Sequence, residues 1–178
     1  AVGPGGSEQA PRGHAAGGMG TSVYWEKPMA HKLDEGVAVS EAVRRSKRVV
    51  QVGMQRRSAG LFLEGKRSMD SGQLGEIRLV TSSWYNNTPS LRQAKLAGNL
   101  DWKQWLGSAP DRPLDPMRFF NWYYFWDYSG GLLIGQAAHI LDCIQGFINS
   151  KEPVAVTCRA GKPNPPAAEV PGTANRPI

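Results

Sequence analysis

Cysteine is nearly absent: Cys143 and Cys158 are the only two in 178 residues. Two cysteines make no disulfide framework, and their spacing matches neither a metal site nor a redox pair. A reducing compartment follows, and without a basic-then-apolar leader the expected location is cytoplasmic. No apolar run reaches the about 18 residues a membrane span needs, so no membrane partner is expected. Acid is in deficit, leaving a net charge of +6. The surplus sits in Arg44-Arg45-Ser46-Lys47-Arg48, Arg56-Arg57 and Lys66-Arg67. Such clusters can line a nucleic-acid groove. The first one, however, falls where a helix should end, and cations there complement the helix dipole, so no nucleic-acid partner is expected. Asn86-Asn87-Thr88 matches a glycosylation sequon, which carries little weight without a secretion signal.

Large apolar side chains are scarce at both ends. Glycines at 3, 5, 6, 13, 17, 18 and 20 crowd the start, and five prolines fall within residues 161–178. Neither end buries enough surface to offset its ordering entropy. A degenerate segment is expected over 1–21 and a flexible Pro-rich tail over 161–178, leaving a folded part of roughly 22–160.

Within that part, Val23-Tyr24-Trp25-Glu26-Lys27-Pro28 organises the rest. Val, Tyr and Trp favour a strand, and Pro28 stops it. Lys27 then stands at the strand's C-terminal end, either as a surface lysine or facing the crevice where ligands bind in open α/β sheets. A helix is predicted over 29–45, with Leu33, Gly36, Val37, Ser40 and Val43 on one face, acids in its first turn and bases in its last. Val49 to Met54 reads as a second strand. Strand, helix and strand make one βαβ unit with a parallel pair.

A helix over 58–71, with Gly72 as its cap, follows. Glu76 to Trp84 alternates as a strand does, 85–99 reads as a loop, and Asp101 can cap a short helix that Gly107 ends. Residues 119–128 hold eight aromatics in ten positions. They form a hydrophobic wall, or a wall on one side and a pocket lining on the other. The predicted helix 132–148 is apolar nearly all round and hence buried, with Gly135, His139, Asp142 and Gly146 on one face. His139 there is either a hydrogen-bonded core residue or a group a ligand can approach. Val154 and Val156 alternate in a last predicted strand, 153–158.

Taken together, these stretches resemble the Gfo/Idh/MocA family of nicotinamide-dependent oxidoreductases. The matching text is Glu26-Lys27-Pro28, Val50 to Arg57, Gly72 to Ile77, Asp101-Trp102 to Pro110, Arg118 to Trp122, and Phe125 to Leu133 with His139 and Asp142. The resemblance implies an α/β (α+β) fold: the remnant of a Rossmann parallel sheet over 22–57, joined to an incomplete substrate domain over 58–160 with an open mixed sheet. It implies NAD or NADP as cofactor, a small-molecule sugar or polyol as substrate, and a homo-oligomer formed through the substrate-domain sheet. Lys27 and His139 would be catalytic and the Lys27–Pro28 bond cis, while Glu26, Lys27, Pro28, Gln55 and Arg56 would border the cofactor. Asn121, Trp122, Trp126, Asp127 and Tyr128 would face the sugar. The implied reaction is hydride transfer from a sugar or polyol hydroxyl to NAD(P), with His139 taking the proton.

Three departures set this chain apart from that pattern. No G-x-G-x-x-G turn follows a first strand. Gly135 stands where the family carries an aspartate, four residues before the histidine, and Tyr123 where relatives carry an arginine. Weak or absent turnover by this chain is therefore expected, with a truncated front half as the reason. The alternative is a non-catalytic carbohydrate-binding or interaction module that uses residues 119–128.

Overall fold

A computed structural model describes residues 22–83, 90–131, 133–150, 152–157, 159–160, 167–170 and 174–175. The predicted degenerate segment 1–21, most of the 161–178 tail and the glycosylation sequon lie outside the described residues.

The first unit is β1 (Val23–Trp25), α1 (Leu33–Ser46) and β2 (Val50–Val52). The two strands pair in parallel, Val23 opposite Val50 and Trp25 opposite Val52, and Gly53 N–H extends the ladder to Trp25 O at 2.7 Å. The Lys27–Pro28 bond is cis. At the start of α1, Glu35 Oε2 accepts from the Lys32 and His31 amides, both at 3.1 Å. Asp34 and Glu35 occupy its first turn and Arg44 and Arg45 its last, the charge order the dipole favours. The face it buries differs from the predicted one. Val39, 2% exposed, packs with Trp25, flanked by Met29, Ala30, Val43 and Val50. Leu33 and Val37 point outward instead. Gly36, Ser40 and Val43 fit the line of Val39 as well as that of Val37, and the sheet side selected Val39.

Next come a 3₁₀ turn at Gln55–Ser58, α2 (Gly60–Asp70), α3 (Trp102–Leu106), α4 (Pro116–Phe120) and a 3₁₀ turn at Trp122–Tyr124. Asp101 caps α3 by accepting from Gln104 N–H at 2.9 Å. Gly107 closes that helix at φ 55°, a left-handed value glycine adopts without cost. Asp115 caps α4, with Pro116 in its first turn. A π-helical turn at Leu133–Ala137 then runs into α5 (Ala138–Phe147). A short antiparallel pair, β3 (Arg159–Ala160) and β4 (Ala174–Asn175), completes the order. The fold is mixed α/β with a small, open parallel sheet.

Two predicted strands are not present over their described parts. Residues 76–83 and 153–157 belong to no helix or strand, and Leu79 and Val156 are exposed. Their alternation suits a half-buried strand, but no described strand lies alongside to complete a ladder, and strands hold only in company.

The main core is aromatic. Tyr128 is fully buried among Leu91, Trp105, Leu106 and Phe125. Trp105 stacks on Trp102 at 4.8 Å and meets Tyr128 edge-on at 5.1 Å. The predicted flexible tail is in part docked here: Ala168 and Val170 are buried, and the Glu169 amide bonds to Tyr124 O at 2.9 Å. Composition alone missed this segment because an ion pair and one valine anchor it, without any periodic pattern.

Candidate active site

β1 and β2 end at the same edge of the parallel pair. Glu26, Lys27 and Pro28 follow one strand, and Gln55 and Arg56 begin the turn after the other. Lys27, half-buried, donates from Nζ to the carbonyl of Gly135 at 2.5 Å, joining positions 108 residues apart. Gly135 lies in the π-turn, one helical turn before His139. Burial holds the Lys27 ammonium below the ordinary lysine range, partly opposed by the Glu26 carboxylate.

His139 is only 5% exposed, and its Nδ1 has no hydrogen-bond partner. It is therefore not the satisfied core histidine that a buried helix usually carries. Burial, then the charges of Lys27 and Arg56, hold its imidazole below the usual histidine value, with Asp142 pulling the other way. The ring is thus neutral near pH 7 and able to accept a proton. The lysine edge and the histidine helix are tied together by Arg57, whose Nε donates to Asp142 Oδ2 at 2.6 Å and Nη2 to Asp142 O at 3.2 Å. Sequence reasoning assigned Asp142 no bonding partner and passed over Arg57, because nothing in its spacing distinguishes it from Arg56.

The aromatic stretch is placed differently from a sugar-facing wall. Tyr128 is fully buried at the centre of the core and cannot meet a solute. Asn121 is buried with its amide taken up: Oδ1 accepts from Arg92 N–H at 2.6 Å, and Nδ2 donates to Arg92 O and Met117 O. Asp127 is held by Arg112 at 2.5 Å and Arg118 at 3.1 Å. Trp122 packs on the core from its edge. Of the five residues assigned to the sugar, Trp126 alone is exposed, at 50%. Burial thus encloses Tyr128, and internal hydrogen bonds and ion pairs take up Asn121 and Asp127.

Tyr123, by contrast, reaches the site. Its ring lies against Gly135, so close that a side chain at 135 would collide with Oη and the ring edge. Burial, and behind it the neighbouring Tyr124, push the Tyr123 hydroxyl up to about 12, against a smaller pull from the Gln136 side chain. A separate groove of about 450 Å³, bounded by Met69, Ile77, Leu79, Ile144 and Phe147, includes none of the predicted site residues. Among the described residues no cluster of three His, Cys, Asp or Glu could hold a metal, and no helix is long and apolar enough to cross a membrane.

Residues 78–170 match the family model described as the oxidoreductase family, C-terminal alpha/beta domain, of the Gfo/Idh/MocA group. The chain belongs to the Gfo/Idh/MocA oxidoreductase family. Among curated Gfo/Idh/MocA proteins, it is 35% identical over 57 residues to a Bacillus subtilis scyllo-inositol 2-dehydrogenase (NAD(+)), covering 32% of this chain and 17% of that one. It is 36% identical over 62 residues to an inositol 2-dehydrogenase of Gluconacetobacter diazotrophicus, covering 34% and 18%. In fold it resembles the WlbA dehydrogenase of Bordetella pertussis, solved with NADH and UDP-GlcNAcA. The TM-score is 0.66 at 20% identity, over 96% of this chain and 44% of that one. The chain thus spans less than half the length of these relatives.

Proposed function

We propose that this chain carries the lysine–histidine chemistry of a sugar or polyol dehydrogenase, transferring hydride between a substrate hydroxyl and NAD(P). The observation that carries this reading is the Lys27 Nζ–Gly135 O bond of 2.5 Å, which draws the ammonium to the helical segment bearing His139, whose Nδ1 has no partner. In the forward direction a carbinol hydroxyl lies between the two groups. His139 accepts its proton, and the ammonium stabilises the alkoxide that develops as hydride departs from the same carbon. Lys27 uses one of three N–H donors on Gly135, which leaves the others for the hydroxyl.

The described residues suit the nicotinamide end of the cofactor. Lys27, Gln55 and Arg56 stand where two parallel strands end on one edge, the usual ligand position in such sheets. NAD(P), when bound, supplies the hydride acceptor. The parallel strand pair and the family match over 78–170 support assigning 22–57 to a nucleotide domain and 58–160 to the substrate side. Weak cofactor affinity and weak turnover by this chain alone are part of the proposal.

Titration with myo-inositol, a hexose and NADH, followed by NMR of the His139 imidazole, tests it. Polyol binding should shift that resonance, and Lys27→Ala should abolish the response along with any turnover. Sugar affinity that survives Lys27→Ala and needs no nicotinamide would instead support a carbohydrate-binding module, for which exposed Trp126 offers the stacking face.

A further inference from the structure

Gly135 and Tyr123 are in close contact. Twelve residues separate them in sequence, yet the Tyr123 ring occupies the space that any side chain at 135 would need. We propose that Tyr123 is a positioning residue for Lys27: its ring braces the π-turn so that the Gly135 carbonyl receives the ammonium.

The geometry supports each link. Gly135 sits in the π-turn Leu133–Ala137, where the backbone bonding pattern departs from the α-helix and carbonyls can be turned to outside donors. Its oxygen accepts Lys27 Nζ. Behind the turn, Tyr123 is itself confined: it belongs to the 3₁₀ turn Trp122–Tyr124 and meets Trp122 and Tyr124 edge-on at 5.6 and 5.8 Å. The next residue's carbonyl, Tyr124 O, is held by the Glu169 amide at 2.9 Å. A ring fixed on that side and glycine on the other make one packing unit, with no acid placed beside Lys27 from position 135. The lysine's anchor is a carbonyl, uncharged and unable to titrate.

The proposal rests on the role given to Lys27, but its test reads the ammonium directly and needs no turnover. The Lys27 titration is followed by NMR of isotope-labelled lysine in the whole chain. Variants are Tyr123→Phe, Tyr123→Ala, Tyr123→Leu and Gly135→Ala, with near-ultraviolet circular dichroism to verify folding. The neighbouring ionisable groups Glu26, Arg56 and His139 stay unchanged. Tyr123→Phe keeps the brace and should leave the Lys27 midpoint in place. Tyr123→Ala and Gly135→Ala should each raise it, because a loosened turn lets water back to the ammonium and relieves its burial. If Tyr123→Ala does not fold, Tyr123→Leu, which keeps an apolar side chain but not the flat ring, should raise it in the same way. Folded Ala or Leu variants with an unmoved midpoint overturn the proposal, as does a Phe variant that shifts it equally. Failure of the dehydrogenase reading is distinct: Lys27 and His139 then ignore every polyol while the midpoint pattern persists.

Discussion

At the scale of single residues, His139 and Asn121 are both buried but differ in how their polar atoms are satisfied. His139 is buried with an orphaned ring nitrogen, whereas Asn121 is buried with its amide satisfied on both sides. Asn121→Ala should therefore cost about 2–3 kcal/mol in urea unfolding, since it strands the Arg92 amide and carbonyl, while Met117 O keeps the residue-121 backbone N–H. The His139 imidazole is held below its ordinary value. The unfolded chain thus binds that proton more readily, and stability should decline as pH falls below about 6.5, until the folded-state value is passed. His139→Gln should flatten that part of the pH–stability profile; an unchanged slope would show that the imidazole is not depressed. Gly135→Ala should destabilise by about 1–3 kcal/mol through overpacking against Tyr123. Combined with Tyr123→Ala, most of that cost should vanish, because neighbours in contact do not add. Nothing in the sequence suggested this pairing, because the two positions share no periodic pattern.

At the scale of elements, helix ends were legible because their signals are local. Asp101 and Gly107 bound α3, and acids and bases occupy the expected ends of α1. The inward face of α1 was not legible. Apolar positions run almost around that helix, so the side it presents to β1 and β2 depends on how the sheet meets it. Val39→Ala should cost about 2 kcal/mol, from two lost methyl groups and a partial cavity. Val37→Ala should change stability by less than about 0.5 kcal/mol. Denaturant midpoints for the two variants provide the check; equal costs would restore the predicted face. The missing strands at 76–83 and 153–157 teach the converse. Alternation records a residue's suitability for a sheet, but a ladder needs a second strand.

At the scale of the molecule, two charged links join parts that are distant in sequence. Arg57 ties the turn after β2 to α5 through Asp142. The arginine is half exposed, so the pair contributes at most about 1 kcal/mol, and its main effect is registry between the lysine edge and the histidine helix. Arg118 does more: it pairs with Asp127 and, at 2.5 Å, with Glu169, and lies over the Phe125 ring at 4.4 Å. Arg118→Met should cost about 1.5–3 kcal/mol and release residues 167–170 from the aromatic core. Hydrogen exchange at the Glu169 amide reports that release directly. A protected amide in the variant would show that the segment stays docked without the ion pair.

The order of short motifs was enough to place this chain in its family, because several short stretches kept in order are far more specific than any one of them. Composition likewise marked residues 119–128 as a hydrophobic wall, or a wall with a pocket lining on one side, since such side chains leave water wherever they can. Which of them remain exposed depended on tertiary packing. Tyr128 and Asp127 are adjacent in sequence, yet one is enclosed by rings and the other is held by two arginines from elsewhere in the chain. The folded chain alone brought Tyr123 against Gly135 and set the Gly135 carbonyl before Lys27. Contact across a π-turn leaves no periodicity behind, and only three-dimensional proximity defines it.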